Sequence, residues 1–249
     1  MADPARNDVA SVGAERTTGK TKTTAVDTVV AMIPDGARVM VGGFMGCGNP
    51  HSLIAALAAS AVKDLTLICN DAASPGYGVG QLIEQKKVKK LVATHVGLNP
   101  EVARQLNAGE LEVELVPQGT FAECIRAGGA GLGGVLTPTG LGTLMAEGKP
   151  TVEVDGKSYL LEKPIRAEFA LIAGNRVDVL GNIWYKGTTR SFSPLMALAA
   201  DTVIVEADHL RELGDPYPED VVTPGVLVDY IVQSELSEDD YESKLGDLT

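Results

Sequence analysis

The chain has 249 residues, enough for one large domain or two small ones at ~150 residues each, and 45% apolar with 22% charged residues places it among globular chains. Twenty-one Lys and Arg against 33 Asp and Glu leave a net charge of −12, without the basic footprint a nucleic-acid binder needs. No apolar run nears the ~20 residues of a membrane span, and a core of this size needs no disulfide or metal staple.

Residues 1–24 are small, polar and mixed in charge, and lack the apolar stretch of a secretory signal. They read as a loose leader, and the protein as cytoplasmic. Residues 25–33 predict a helix, closed by the turn Pro34-Asp35-Gly36, and residues 38–41 a short strand. A helix follows over 50–62, with Asn49 as its N-cap and Pro50 in its first turn. Strands over 65–69, 90–94 and 112–116 then alternate with helices over 80–85, 100–107 and 121–127. Short apolar strands between amphipathic helices predict an α/β fold: an open, mostly parallel sheet with helices on both faces.

The second half differs. Asp155-Gly156, between two strand-like runs in residues 151–162, predicts a β-hairpin. Residues 168–173 and 202–205 read as further buried strands, 180–183 as a tight turn, and the apolar run 194–200 as core helix. No internal repeat or composition break divides residues 25–233, so they form one domain. Residues 234–249 are an acidic tail. Six acids and one Lys in 235–249 give −5, leaving −7 for the rest, and such a run is usually solvated.

Cys47, Cys69 and Cys124 are odd in number and show no metal-ligand spacing. They read as free, buried thiols in a reducing compartment. With three unclustered His, no metal site is expected. Glycine is the outlier: nine of 28 fall in residues 119–148, where even spreading places about three.

Two glycine-rich stretches stand out. Gly42-Gly43-Phe44-Met45-Gly46-Cys47-Gly48-Asn49-Pro50 lies between a predicted strand and a predicted helix. Such a turn can aim backbone N–H groups at a phosphate, or it can be a tight structural turn. Its spacing is neither the dinucleotide fingerprint nor a P-loop. The second, Gly128-Gly129-Ala130-Gly131-Leu132-Gly133-Gly134 with Thr137-Pro138-Thr139-Gly140, reads as a long loop. It is either a mobile segment, a subunit contact, or a wall against which a long substrate packs.

These stretches, together with Leu65-Thr66-Leu67-Ile68-Cys69-Asn70-Asp71, Thr94-His95-Val96-Gly97-Leu98-Asn99-Pro100 and Val116-Pro117-Gln118-Gly119-Thr120, resemble the A (alpha) subunit of the family I, or 3-oxoacid type, CoA-transferases. The resemblance spans about residues 24–233, and within the family it is greatest to the acetate/butyrate–acetoacetate alpha subunits. It implies a sheet like that of the sugar-phosphate isomerases. It also implies a reaction in which a glutamate attacks an acyl-CoA thioester, passes through an anhydride to a glutamyl-CoA thioester, and hands CoA to a second acid. Oxyanions form at each step and need aimed donors.

In this family the nucleophilic Glu lies in an S-E-x-G-like turn of a separate B subunit. Ser234-Glu235-Leu236-Ser237 lacks the glycine and Glu147-Gly148 lacks the serine, so neither is assigned, and no catalytic nucleophile is expected here. The resemblance implies a B-subunit partner, acyl-CoA and small carboxylic acids as ligands, and coenzyme A as substrate with no permanently bound cofactor. It assigns Gly42, Gly43, Phe44, Met45, Gly46, Cys47 and Gly48 to CoA. Asn70 and Gln118, each at the end of a predicted strand, are assigned to the acyl or carboxylate group; amides donate without adding charge. Asp71 is disfavoured as a site residue because it would repel an anion. His95 reads more readily as a turn residue, and Arg190 as a candidate for CoA phosphates. The alternative is a sugar-phosphate-binding isomerase-like or sensor domain of the same shape; another is a purely structural partner of B.

Overall fold

The computed structural model describes residues 22–213 and 218–235. Most of the leader (1–21) and of the acidic tail (236–249) lies outside the described residues. The first half runs α1 (Val26–Val30), β1 (Arg38–Val41), α2 (His51–Ala59), β2 (Leu65–Cys69), α3 (Gly80–Glu84), β3 (Val88–Ala93), α4 (Pro100–Asn107), β4 (Glu112–Leu115) and α5 (Gln118–Gly129). Then come β5 (Val135–Thr137), β6 (Thr151–Val154), β7 (Lys157–Glu162), β8 (Ala167–Asp178), β9 (Ile183–Trp184), α6 (Ser193–Ala199), β10 (Ala200–Arg211) and β11 (Tyr230–Gln233).

The main sheet has the order β11-β10-β8-β1-β2-β3-β4, every neighbour parallel, with β9 antiparallel on β8. From β1 the chain steps outward through β2, β3 and β4, then returns to the other side of β1 through β8, β10 and β11. The order therefore reverses at β1, and α/β sheets bind ligands beyond the strand carboxyl ends at such a reversal. The expected hairpin forms as β6 and β7, and β5 joins it in a separate three-stranded antiparallel sheet.

Strand residues alternate between two cores, as the pleat requires. Val39, Val41, Leu67 and Leu91 pack with Val29, Leu53, Leu57, Leu82 and Val102 from α1 to α4. Met40, Ile68, Val92 and Ala170 pack with Phe121, Ile125, Met196 and Ala199 from α5 and α6. Helices thus cover both faces, as the alternation predicts.

Two local expectations are corrected. Asn49 does not cap α2: its Nδ2 donates to the Gly42 carbonyl at 2.5 Å, and α2 has no side-chain cap from that position. The same Asn-Pro pair does cap α4, where Asn99 Oδ1 accepts the Glu101 N–H at 3.1 Å. The glycine run beginning at 128 is not wholly a loop, because Gly128 and Gly129 are the last turn of α5. A Cβ on Gly128 would strike the Ile165 carbonyl, and one on Gly129 would strike Leu198 of α6. Close helix packing, not mobility, accounts for these two glycines.

One rim of the main sheet is covered and the other is charged. Beside β11, Ile231 N–H donates to Lys22 O at 2.9 Å and Thr24 N–H to Ile231 O at 2.9 Å. On β4, Glu112 and Glu114 pair with Lys90 of β3 at 2.7 and 2.9 Å.

Candidate functional site

Three segments meet at the carboxyl ends of β1, β2 and β4. After β1, residues 42–48 fold into a tight turn. Gly43, Gly46 and Gly48 have φ of 105°, 84° and 74°. A Cβ on Gly46 would enter the Tyr77 ring, and one on Gly48 would strike the Thr189 carbonyl. Met45 shares the left-handed conformation at φ 50°.

The backbone donors of this turn are largely spent. Gly42 N–H donates to Leu171 O, Gly43 to Ser191 O, and Phe44 and Cys47 to each other's carbonyls. Met45 N–H donates to Asp71 Oδ2 at 2.9 Å. The N-terminus of α2 is taken as well. The fully buried Glu206 carboxylate of β10 accepts the Ser52 and Leu53 N–H groups at 3.1 and 3.0 Å, and the Ser52 and Ser234 hydroxyls at 2.9 and 2.8 Å. A protein carboxylate thus stands where a helix N-terminus would take a phosphate. Of the two readings of the turn, these bonds favour the tight structural one. Outward it offers Phe44, 48% exposed, and the half-buried Met45 and Cys47.

Beyond β2, Asn70 and Asp71 turn inward. Asp71 Oδ1 accepts the Ala73 N–H at 2.8 Å, and its Oδ2 accepts Asn70 Nδ2 at 3.0 Å as well as the Met45 N–H. Asn70 Oδ1 accepts Gln118 Nε2 at 2.8 Å and Thr94 Oγ1 at 3.2 Å. The two predicted amides therefore touch. Asn70 is sealed at 1% exposure, whereas Gln118 stands exposed above it. Gln118 is the first residue of α5 rather than the end of a strand, because Pro117 stops β4's extension and serves as the N-cap position.

His95 is exposed and bridges Asp71 through the backbone. Arg190 ends the 3-10 turn Gly187–Arg190 and is exposed next to Ser191, whose carbonyl holds Gly43. The structure places both at this end of the sheet. Cys47 is half-buried, its Sγ 3.6 Å from Thr188 Oγ1, so only Cys69 and Cys124 are the buried thiols expected. Burial pushes the Cys69 thiol well up, with the Asp71 charge adding to it, and burial likewise raises the Tyr77 hydroxyl. Among the described residues no group of His, Cys, Asp and Glu is arranged to hold a metal, and no helix is long and apolar enough to cross a membrane.

The sequence alone does not single out Tyr77 or Glu206. Glu206 lies 154 residues from the serine it holds, and no local pattern marks that contact. Asp71, disfavoured as repulsive to an anion, in fact turns its charge toward three protein donors. Chemically, the site offers an amide edge and an apolar turn at a sheet reversal. Glu206 is locked by four donors, and Glu147 sits in the loop leading to β6.

Residues 22–234 match the coenzyme A transferase family. The chain is 51% identical over 218 residues to the acetate CoA-transferase subunit alpha of Escherichia coli (strain K12), covering 88% of this chain and 99% of that relative. It is 53% identical over 199 residues to the acetoacetyl-CoA:acetate/butyrate CoA transferase alpha subunit of Clostridium acetobutylicum, covering 80% and 91%. The fold is shared with glutaconate coenzyme A-transferase from Acidaminococcus fermentans, with a TM-score of 0.78 at 17% identity over 86% of this chain and 76% of that one. It is also shared with an acyl-CoA transferase of Escherichia coli O157:H7 solved as a thioester complex with CoA, with a TM-score of 0.77 at 23% identity over 86% of this chain. This chain spans 47% of that longer one. By its sequence and its sheet, the chain belongs to the coenzyme A transferase family and is of the alpha, or A, subunit type.

Proposed function

We propose that this chain is the A half of a two-subunit enzyme that moves CoA between a short-chain acyl-CoA and a small carboxylic acid, through a glutamyl-CoA thioester on a B subunit. The observation that carries this reading is the Asn70–Gln118 amide pair at the sheet reversal, bonded through Asp71 to the glycine turn, with the neighbouring Glu206 already committed. Gln118 faces the acyl or carboxylate group, and Asn70 serves it from beneath. Residues 42–48 meet CoA through the exposed faces of Phe44, Met45 and Cys47 rather than through a ring of free N–H groups. Acetate, butyrate and acetoacetate are the acids of choice, by likeness to the relatives that carry those names. The three free thiols suit the cytoplasm.

The test is CoA exchange between acetyl-CoA and acetoacetate. The chain alone should show none, and co-expression with its B partner should restore exchange and yield a CoA adduct on a glutamate of B. An adduct on a glutamate of this chain would refute the division of labour. No observation favours the sugar-phosphate alternative; a thermal shift with ribose phosphate but not with acetyl-CoA would revive it.

A further inference from the structure

We infer that Asp71 is a positioning residue whose carboxylate dictates which way the Asn70 amide points, and through it which atoms Gln118 presents outward. Its bearing on catalysis rests on the function proposed above; the hydrogen-bond polarity itself does not.

The chain of bonds has a forced direction. A carboxylate only accepts, whereas a carboxamide has one accepting end and one donating end. Asp71, 5% exposed, collects the Met45 N–H, the Ala73 N–H and Asn70 Nδ2. Asn70 must therefore turn its NH2 toward Asp71 and its Oδ1 away. There Oδ1 accepts Gln118 Nε2, while the single Thr94 hydroxyl proton goes chiefly to the Asn70 backbone carbonyl at 2.8 Å, with Oδ1 at 3.2 Å. The opposite rotamer would set Oδ1 against the acceptor-only carboxylate, and at 1% exposure no water relieves it. Gln118 must then give one Nε2–H inward. Its outward edge keeps one N–H and the carbonyl oxygen, so a ligand carboxylate meets a single side-chain donor here. The same Oδ2 holds Met45, so the register of the glycine turn and the polarity of the amide pair depend on one oxygen.

The prediction is a coupling between residues 71 and 118, which share no hydrogen bond in the structure. Gln118→Glu aims a carboxylate at an oxygen that Asp71 holds in place. Asp71→Asn frees Asn70 to turn over, give its NH2 to the carboxylate introduced at position 118 and accept from the new amide. Melting temperatures of the full-length chain are read for both single variants and the double variant. The double variant should melt about 3 °C or more above the sum of the single effects. Additivity within about 1 °C overturns the inference, because a carboxylate that merely braces the turn loses the same amount in either background. Should Asp71→Asn fail to fold, Gln118→Glu is compared with Gln118→Leu at the exposed end. Gln118→Glu must melt lower, and equal or higher melting again overturns the inference. These readings need neither substrate nor B subunit. Absence of exchange in the wild-type complex would count against the proposed function, whereas additive melting would count against the relay alone.

Discussion

Replacing Glu206 with alanine removes an acceptor from four donors at once: two backbone N–H groups of the first turn of α2 and the hydroxyls of Ser52 and Ser234. Glu206 itself is fully buried. Each buried donor left unpaired costs about 1–3 kcal/mol, but Ser52 and Ser234 can rotate toward other partners. The helix also loses a favourable charge at its N-terminus, worth up to about 2 kcal/mol when partly buried. Relief of desolvating the carboxylate offsets part of this. The expected net loss is about 3–5 kcal/mol, or roughly 10 °C in melting for a domain of this size. Glu206→Gln keeps one accepting oxygen and should lose about half as much. Urea unfolding followed by Trp184 fluorescence suits the measurement, because Trp184 is the single tryptophan and is buried. Loss below about 1 kcal/mol for the alanine variant would refute the view that this carboxylate completes α2.

Gly46→Ala must fit a side chain at φ 84° into the Tyr77 ring; it should lower the melting temperature, and adding Tyr77→Ala should recover only part, since the backbone strain of about 1–2 kcal/mol remains. Asn99→Ala should cost about 1 kcal/mol and speed hydrogen exchange in α4. Asn49→Ala should leave exchange in α2 unchanged while loosening the glycine turn, because its partner is Gly42 O. Gln118→Ala, assayed in the A–B complex, should leave assembly intact and cut turnover by about 10²–10³ if its N–H meets a developing oxyanion; unchanged turnover would favour a scaffolding role. Iodoacetamide at pH 8 should label Cys47 first, since burial pushes Cys124 up to about 11 and Cys69 well above its ordinary 9.0. A thiol pKa raised on folding leaves stability full below about pH 9 and lowers it between about 9 and 11. Alkaline melting curves of Cys124→Ser should fall less steeply there than those of the wild type.

The first half of the fold was legible because strand and helix alternate within short windows. Residues 38–41 and 65–69 are apolar runs between turn signals and became β1 and β2 at those bounds. The second half hid its length. β8 and β10 run twelve residues each, but Asn175, Arg176, Asp208 and His209 interrupt the apolar pattern that marks a strand. β9 and β11 have two and four residues, too short for a periodic pattern; β9 folds back on the end of β8 across the 179–182 turn, and β11 exists by pairing with β10, about 26 residues away. At the site, Asn70 and Gln118 came from the family resemblance, and no local pattern could show that one covers the other. Asn49 and Asn99 teach the same point. Both precede proline, yet Asn49 is drawn back to the Gly42 carbonyl within its own turn, and the start of α2 is taken by Glu206, which lies far outside the local pattern.

The two borders of the main sheet bear on how this chain can assemble. One border strand is already hydrogen-bonded to residues 22–24, and the other displays acidic side chains held by Lys90. Strand-by-strand extension, the route to fibrils and runaway polymers, is thereby blocked at one margin and discouraged by charge at the other. Docking of a companion chain through these two borders is thereby disfavoured against docking on helices, on loops or on the tips of the strands.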